Sequence, residues 1–180
     1  MKHVDYFHPA LRWLHWLMAA AIFTMLFIGV AMVASVSSLH SLLLAIHKPL
    51  GVMILVLVVV RLWLRFATAT PALPASLPAW QRGAAHLSHW ILYLLLLAQP
   101  LIGWAMLSAA GYPVTLGGGI VLPPLLPVNN DGYALLRPLH SWVALALFAT
   151  VMLHLAAALL HAFILRDGVF RTMTGMRRRD

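Results

Sequence analysis

The chain contains no cysteine, which excludes disulfides, thiolate metal sites, iron–sulfur clusters and the covalent attachment of c-type haem. Acidic residues are nearly missing as well, with four Asp and Glu against 12 Lys and Arg, and charged residues make up only 9% of 180. A soluble domain carries about 25% charged residues, so a chain that is 63% hydrophobic is solvated mostly by lipid. Any cofactor must be held by other ligands than thiolate. With ten histidines present, imidazole is the obvious one.

Four segments reach the about 20 mostly apolar residues that a transmembrane helix needs: 13–34, 39–60, 84–109 and 138–165. The second contains one charge, Lys48, and is followed by "RLWLRF"; the third and fourth contain none. Between the second and third, "ATATPALPASLPAWQRG" reads as a short extended loop because of its prolines and small residues. Between the third and fourth, "GYPVTLGGGIVLPPLLPVNNDGY" is too broken by Gly and Pro to be a fifth span. No repeat or second domain is visible. The expectation is an all-α integral membrane protein, a four-helix transmembrane bundle formed by one domain over 1–180.

Basic residues in short loops mark the cytoplasmic side. One side would hold Lys2, Arg12, Arg61, Arg65, Arg82, Arg166, Arg171, Arg177, Arg178 and Arg179, and the other only Lys48 and Arg137. Both termini are therefore predicted cytoplasmic, and the net charge of +8 is a topological signal with no nucleic-acid patch implied. The first apolar run exceeds the usual signal-peptide core of about 7 to 15 residues, which favours a retained helix.

The fourth segment carries a histidine at each end of "HSWVALALFATVMLH", His140 and His154. In a helix that step rises about 21 Å over nearly four turns and returns to nearly the same face. An imidazole in hydrocarbon is costly unless its nitrogens are taken, so intramembrane histidines read as functional. By depth, His15 on the first helix lies level with His154 on the cytoplasmic side, and His47 on the second lies level with His140 on the periplasmic side. Facing imidazoles from different helices suit a flat cofactor with two open axial positions, and haem b in a bundle core fits. Two haems about 20 Å apart would then form an electron path across the membrane. His161, seven residues past His154 on a similar face, pairs with His15 equally well by depth, so either remains open at this point.

Other residues have double readings. His86 and His89, an i, i+3 pair opening the third helix, are either interfacial polar residues or contacts for a quinone carbonyl and its protons. His3, His8 and His40 read as surface residues. Gly51 shares the His47 face and admits either a porphyrin or a neighbouring helix. Trp13, Trp16, Trp63, Trp80, Trp90 and Tyr93 read as an interfacial belt. Lys48 and Arg137 adjoin the proposed outer ligands and suit propionate contact or attraction of an anion, against a simple helix-end role. Arg12 and Arg82 suit the same tasks on the inner side, and the cytoplasmic preference of basic residues explains them equally well.

The segments "RWLHWLM", "IHKPLGVMILVLVVVRLWLR", "GAAHLSHWILYLLLLAQPLIG" and "LHSWVALALFATVMLHLAAALLHAFILRDG" together resemble the bacterial cytochrome b561 family, and within it the di-haem superoxide-oxidising members. They cover most of the chain in order, apart from loops and tails. The resemblance implies that His15, His47, His140 and His154 are the axial ligands, which selects His154 over His161. It implies two non-covalent haem b per chain, a location in the inner membrane, and ubiquinone as electron acceptor. It further implies oxidation of superoxide to dioxygen at the periplasmic face. The third-to-fourth loop and Lys48 depart from the shared pattern.

Two other functions compete with this. The first is a haem b relay subunit that passes electrons from a partner dehydrogenase or hydrogenase to quinone, and its docking would need an extended outer surface. The second is a histidine-lined metal transporter without haem, which suffers from the absence of acidic residues within the spans. His86, His89 and His161 are the candidates for the quinone site, because protons are consumed there. Membrane lipid is a further expected partner, nucleic acid is not, and the sequence does not disclose whether a protein partner exists.

Overall fold

Each apolar stretch is helical in the computed structural model, which describes residues 4–74 and 76–175. The helices are α1 (Pro9–Ala34), α2 (Ser38–Ala67), α3 (Ala79–Ala109) and α4 (Asn130–Leu159). Lys2, His3, Arg177, Arg178 and Arg179 lie outside the described residues. Helix starts follow the local chemistry. His8 accepts the Ala10 N–H at 3.3 Å ahead of Pro9, Ser37 accepts that of Leu39 at 3.3 Å, and Asn129 accepts that of Gly132 at 3.0 Å. Such caps satisfy N–H groups that a helix leaves unpaired in its first turn.

The last cap corrects the sequence reading. "NNDG" carries turn signals, yet Asn129 caps the helix and Asp131 sits in its first turn, where a negative charge is favoured by the helix dipole. The fourth helix thus begins eight residues before the predicted span. All four apolar helices are longer than the membrane requires, at 26 to 36 residues, so their ends project into the interfacial regions or the helices tilt.

Two further elements were not expected. In the connection between α3 and α4, β1 (Val114–Thr115) pairs antiparallel with β2 (Val121–Leu122). Gly117, Gly118 and Gly119 all have positive φ there, a conformation that glycine adopts without steric cost. This hairpin folds onto the bundle: Lys48 Nζ donates to the Pro113 carbonyl at 3.4 Å, and Trp104 Nε1 to that of Pro123 at 3.0 Å. At the opposite end, α4 runs into a π-helical turn over Leu160–Leu165, and Arg166 reverses the chain with φ 50° and ψ 33°. A short helix, α5 (Val169–Thr174), follows and packs against the π-helical turn and α4. The Phe7 N–H donates to the Thr172 carbonyl at 3.2 Å, and Phe170 packs edge-on to Trp16 at 6.3 Å between ring centres. The bundle thus has a hairpin end and a terminal end.

α1 packs along α2, α3 along α4, and α2 against α3. Among the four long helices, α4 makes its extended contact only with α3. Its backbone stands back from α1 and α2, and side chains span the space. Midway lies an apolar layer of Met18, Ala21, Ile54, Val58, Leu96 and Leu147. Leu147 is seven residues from both His140 and His154, so this layer separates the two histidine levels. Large apolar side chains such as Phe27, Val56, Leu94 and Leu153 are exposed, as a surface solvated by acyl chains requires.

Candidate cofactor site

The histidines meet in two pairs across the space that α4 leaves. His15 on α1 faces His154 on α4 with ring centres 6.3 Å apart and planes at 74°. His47 on α2 faces His140 on α4, also at 6.3 Å, with planes at 68°. Two imidazoles binding one metal from opposite sides, through bonds of about 2 Å, have their ring centres about 6 Å apart. Both pairs fit that spacing. At the hairpin-end level His47 Nδ1, His140 Nδ1 and Gln99 Oε1 are sealed from solvent without a hydrogen-bond partner. Buried polar atoms are rarely left so; a metal between the rings would take one nitrogen from each, though it would not partner Gln99 Oε1.

α3 shapes the hairpin-end pair. Gln99 donates through Nε2 to the His140 carbonyl at 3.1 Å and stands 3.1 Å from His140 Nε2. At Gly103 an added Cβ would lie 2.9 Å from His140 Cε1, closer than real contacts allow, so only glycine leaves this ring its place. Neither Gln99 nor Gly103 was singled out from the sequence. Gly51, by contrast, would bring a Cβ to 3.7 Å from the Met25 side chain, an ordinary contact with the neighbouring helix. Pro49, Pro100 and Pro138 lie inside α2, α3 and α4 near this level, each removing one backbone N–H from its helix.

The terminal-end pair has a third ring beside it. His89 lies 5.4 Å from His154 between ring centres, at 75°. Its Nδ1–H donates to the Ala85 carbonyl at 2.6 Å, which leaves Nε2 as an acceptor. His86, one turn earlier, is exposed. Arg61 donates through Nη1 to the Leu11 carbonyl at 3.0 Å and is within electrostatic reach of His15, His89 and His154. A half-buried cation at this level suits a carboxylate-bearing group; from the sequence Arg61 was only a topology marker. His161 is engaged elsewhere, donating Nδ1–H to Asp167 at 2.5 Å.

Of the remaining candidates, Lys48 is half-buried and tied to Pro113, whereas Arg137 is exposed at the hairpin end. Trp13, Trp63, Trp80 and Trp90 are exposed, but Trp16 also holds α5, donating through Nε1 to the Met173 carbonyl at 3.4 Å. His40 departs from the surface reading: it is half-buried and donates Nδ1–H to the Met32 carbonyl at 3.1 Å. Among the described residues, no group of three or more His, Asp or Glu side chains converges to hold a bare metal ion.

Comparison with known proteins matches residues 6–176 to the family described as prokaryotic cytochrome b561. A probable superoxide oxidase CybB of Yersinia pestis is 32% identical over 133 residues, 74% of this chain and 75% of its own. Cytochrome b561 homolog 1 of Escherichia coli K12 is 30% identical over 175 residues, covering 92% and 95% of the two chains. Homolog 2 of the same organism is 28% identical over 163 residues, covering 89% and 87%. The chain belongs to the prokaryotic cytochrome b561 family, multi-pass membrane electron-transfer proteins that bind haem b.

Proposed function

We propose that the protein is a superoxide:ubiquinone oxidoreductase of the bacterial inner membrane, with both termini in the cytoplasm and two haem b per chain. The observation that carries this reading is the equal 6.3 Å separation of two histidine pairs at opposite levels of one bundle. His47 and His140 would hold one group at the hairpin end, and His15 and His154 the other at the terminal end. When bound, haem b supplies reversible one-electron chemistry at each level. The name borne by the Yersinia pestis relative supports superoxide as the donor.

The chain's own residues supply approach, separation and protons. Lys48 and Arg137 give the hairpin end its positive charge, which raises the local concentration of a small anion. The apolar layer around Leu147 excludes water between the levels. At the terminal end His86, His89 and His161 offer imidazoles near the quinone, which takes up two protons as two superoxide ions are oxidised to dioxygen.

The test is to supply superoxide enzymatically to the purified protein and follow ubiquinol. Formation of one ubiquinol per two superoxide ions, with two reducible b-type haems per chain, is the expected result. Intact haems without ubiquinol would move the assignment to a relay subunit fed by a partner dehydrogenase or hydrogenase. A colourless protein would remove both.

A further inference from the structure

The geometry points to Asp167 as a positioning residue that holds His161 ready to deliver protons to the quinone. This inference rests on the reading above, that quinone is reduced at the terminal end. α4 does not simply stop. It widens into the π-helical turn Leu160–Leu165, a local distortion found disproportionately at functional sites. Arg166 follows with φ 50°, the one non-glycine residue with positive φ among the described residues, and Gly168 with φ 88°. This reversal swings Asp167 back onto His161, six residues earlier.

Both oxygens of Asp167 are used. Oδ2 lies 2.5 Å from His161 Nδ1, and Oδ1 accepts the Val169 N–H at 3.1 Å. A carboxylate has no proton to give, so His161 must donate Nδ1–H. The second bond fixes the carboxylate, and the fixed carboxylate in turn fixes the ring orientation and its tautomer. The two side chains are sheltered, at 18% and 13% exposure, where such a charge-assisted bond is strong. His161 Nε2 is the one ring nitrogen left for other chemistry. The ring lines a pocket with Ala162, Arg166, Gly168, Phe170 and Arg171, and the two arginines favour negative charge growing on a quinone oxygen.

The proton step balances as follows. Protonated His161 gives its Nε2–H to a quinone oxygen: the N–H bond breaks, its pair stays on the ring, and an O–H bond forms. Asp167 keeps its charge and its bond to Nδ1 throughout. Water at the terminal end reprotonates Nε2, and the cycle repeats for the second proton. The two electrons come from two superoxide ions.

The experiment uses the haem-loaded full chain with enzymatically generated superoxide and ubiquinone, comparing D167N, D167A, D167E, H161Q and the H161Q/D167A double variant. D167N preserves shape and an acceptor, so it tests the role even where D167A folds poorly. The expected result is full haem content and unchanged reduced spectra. With these, kcat falls about 10-fold or more in D167N and D167A, KM for quinone changes little, and D167E recovers much of the rate. The double variant should be no slower than H161Q alone, because Asp167 acts through that ring. Wild-type kcat in both D167N and D167A overturns the inference, as does activity lost only in proportion to haem. A wild-type protein that reduces no ubiquinone overturns the parent reading and this inference with it.

Discussion

Replacing His154 removes the ring that both His15 and His89 face. H154A should therefore lose one haem and keep the other, whereas H161A, whose ring is bound to Asp167, should keep both. The haem-to-protein ratio and the reduced absorption spectrum read this directly, and equal loss from H161A would reverse the assignment. At the hairpin end, K48Q and R137Q together should slow superoxide oxidation by up to about 10-fold and flatten its dependence on ionic strength. A rate that is indifferent to both charges and to salt would show that they do not steer the donor. Three of the paired histidines, His15, His47 and His140, were legible in the sequence from depth and helical period, and the family resemblance chose His154 as the fourth. Gln99 and Arg61 were not, since their relation to His140 and His15 exists only across helix interfaces. Depth also left His161 open; its partner is set by a backbone reversal that no periodicity encodes.

Among the helices, the close approach of α3 to α4 depends on Gly103. In G103A the new methyl would fall 2.9 Å from a ring carbon of His140, and the ring could escape it only by leaving its place. Haem affinity at the hairpin end should drop by about 10–100-fold while the terminal-end haem stays bound, a loss measurable by haem titration of the apoprotein. From the sequence, Gly103 is one of many small residues in membrane helices. The four long helices themselves were evident as apolar runs, but their ends were not. The start of α4 reads as a turn until Asn129 is seen to cap it. The small hairpin and α5 were missed because two-residue strands and six-residue helices are decided by docking. α5 depends on Trp16 and the Thr172 carbonyl more than on its own propensity.

For the whole molecule, composition alone announced a membrane bundle, and the spacing along α4 announced two levels within it. What the sequence left unstated is how α4 stands away from α1 and α2, opening the interior that the histidines share. In the layer between the levels, the six buried side chains, Met18, Ala21, Ile54, Val58, Leu96 and Leu147, pass no proton, and Tyr93 packs against them with a single hydroxyl. With the donor oxidised at the hairpin end and protons drawn at the terminal end, electrons would cross this layer alone. Each turnover would then separate charge and build a voltage, negative on the side of the termini. Moving a unit charge against 100 mV costs about 2.3 kcal/mol, so in sealed vesicles turnover should slow as the voltage grows. An added ionophore should restore it. Unchanged rates with and without the ionophore would mean that protons reach the quinone from the hairpin side. If the ionophore restores the rate, the oily middle of the bundle would make the proposed oxidation of superoxide a small generator of membrane potential.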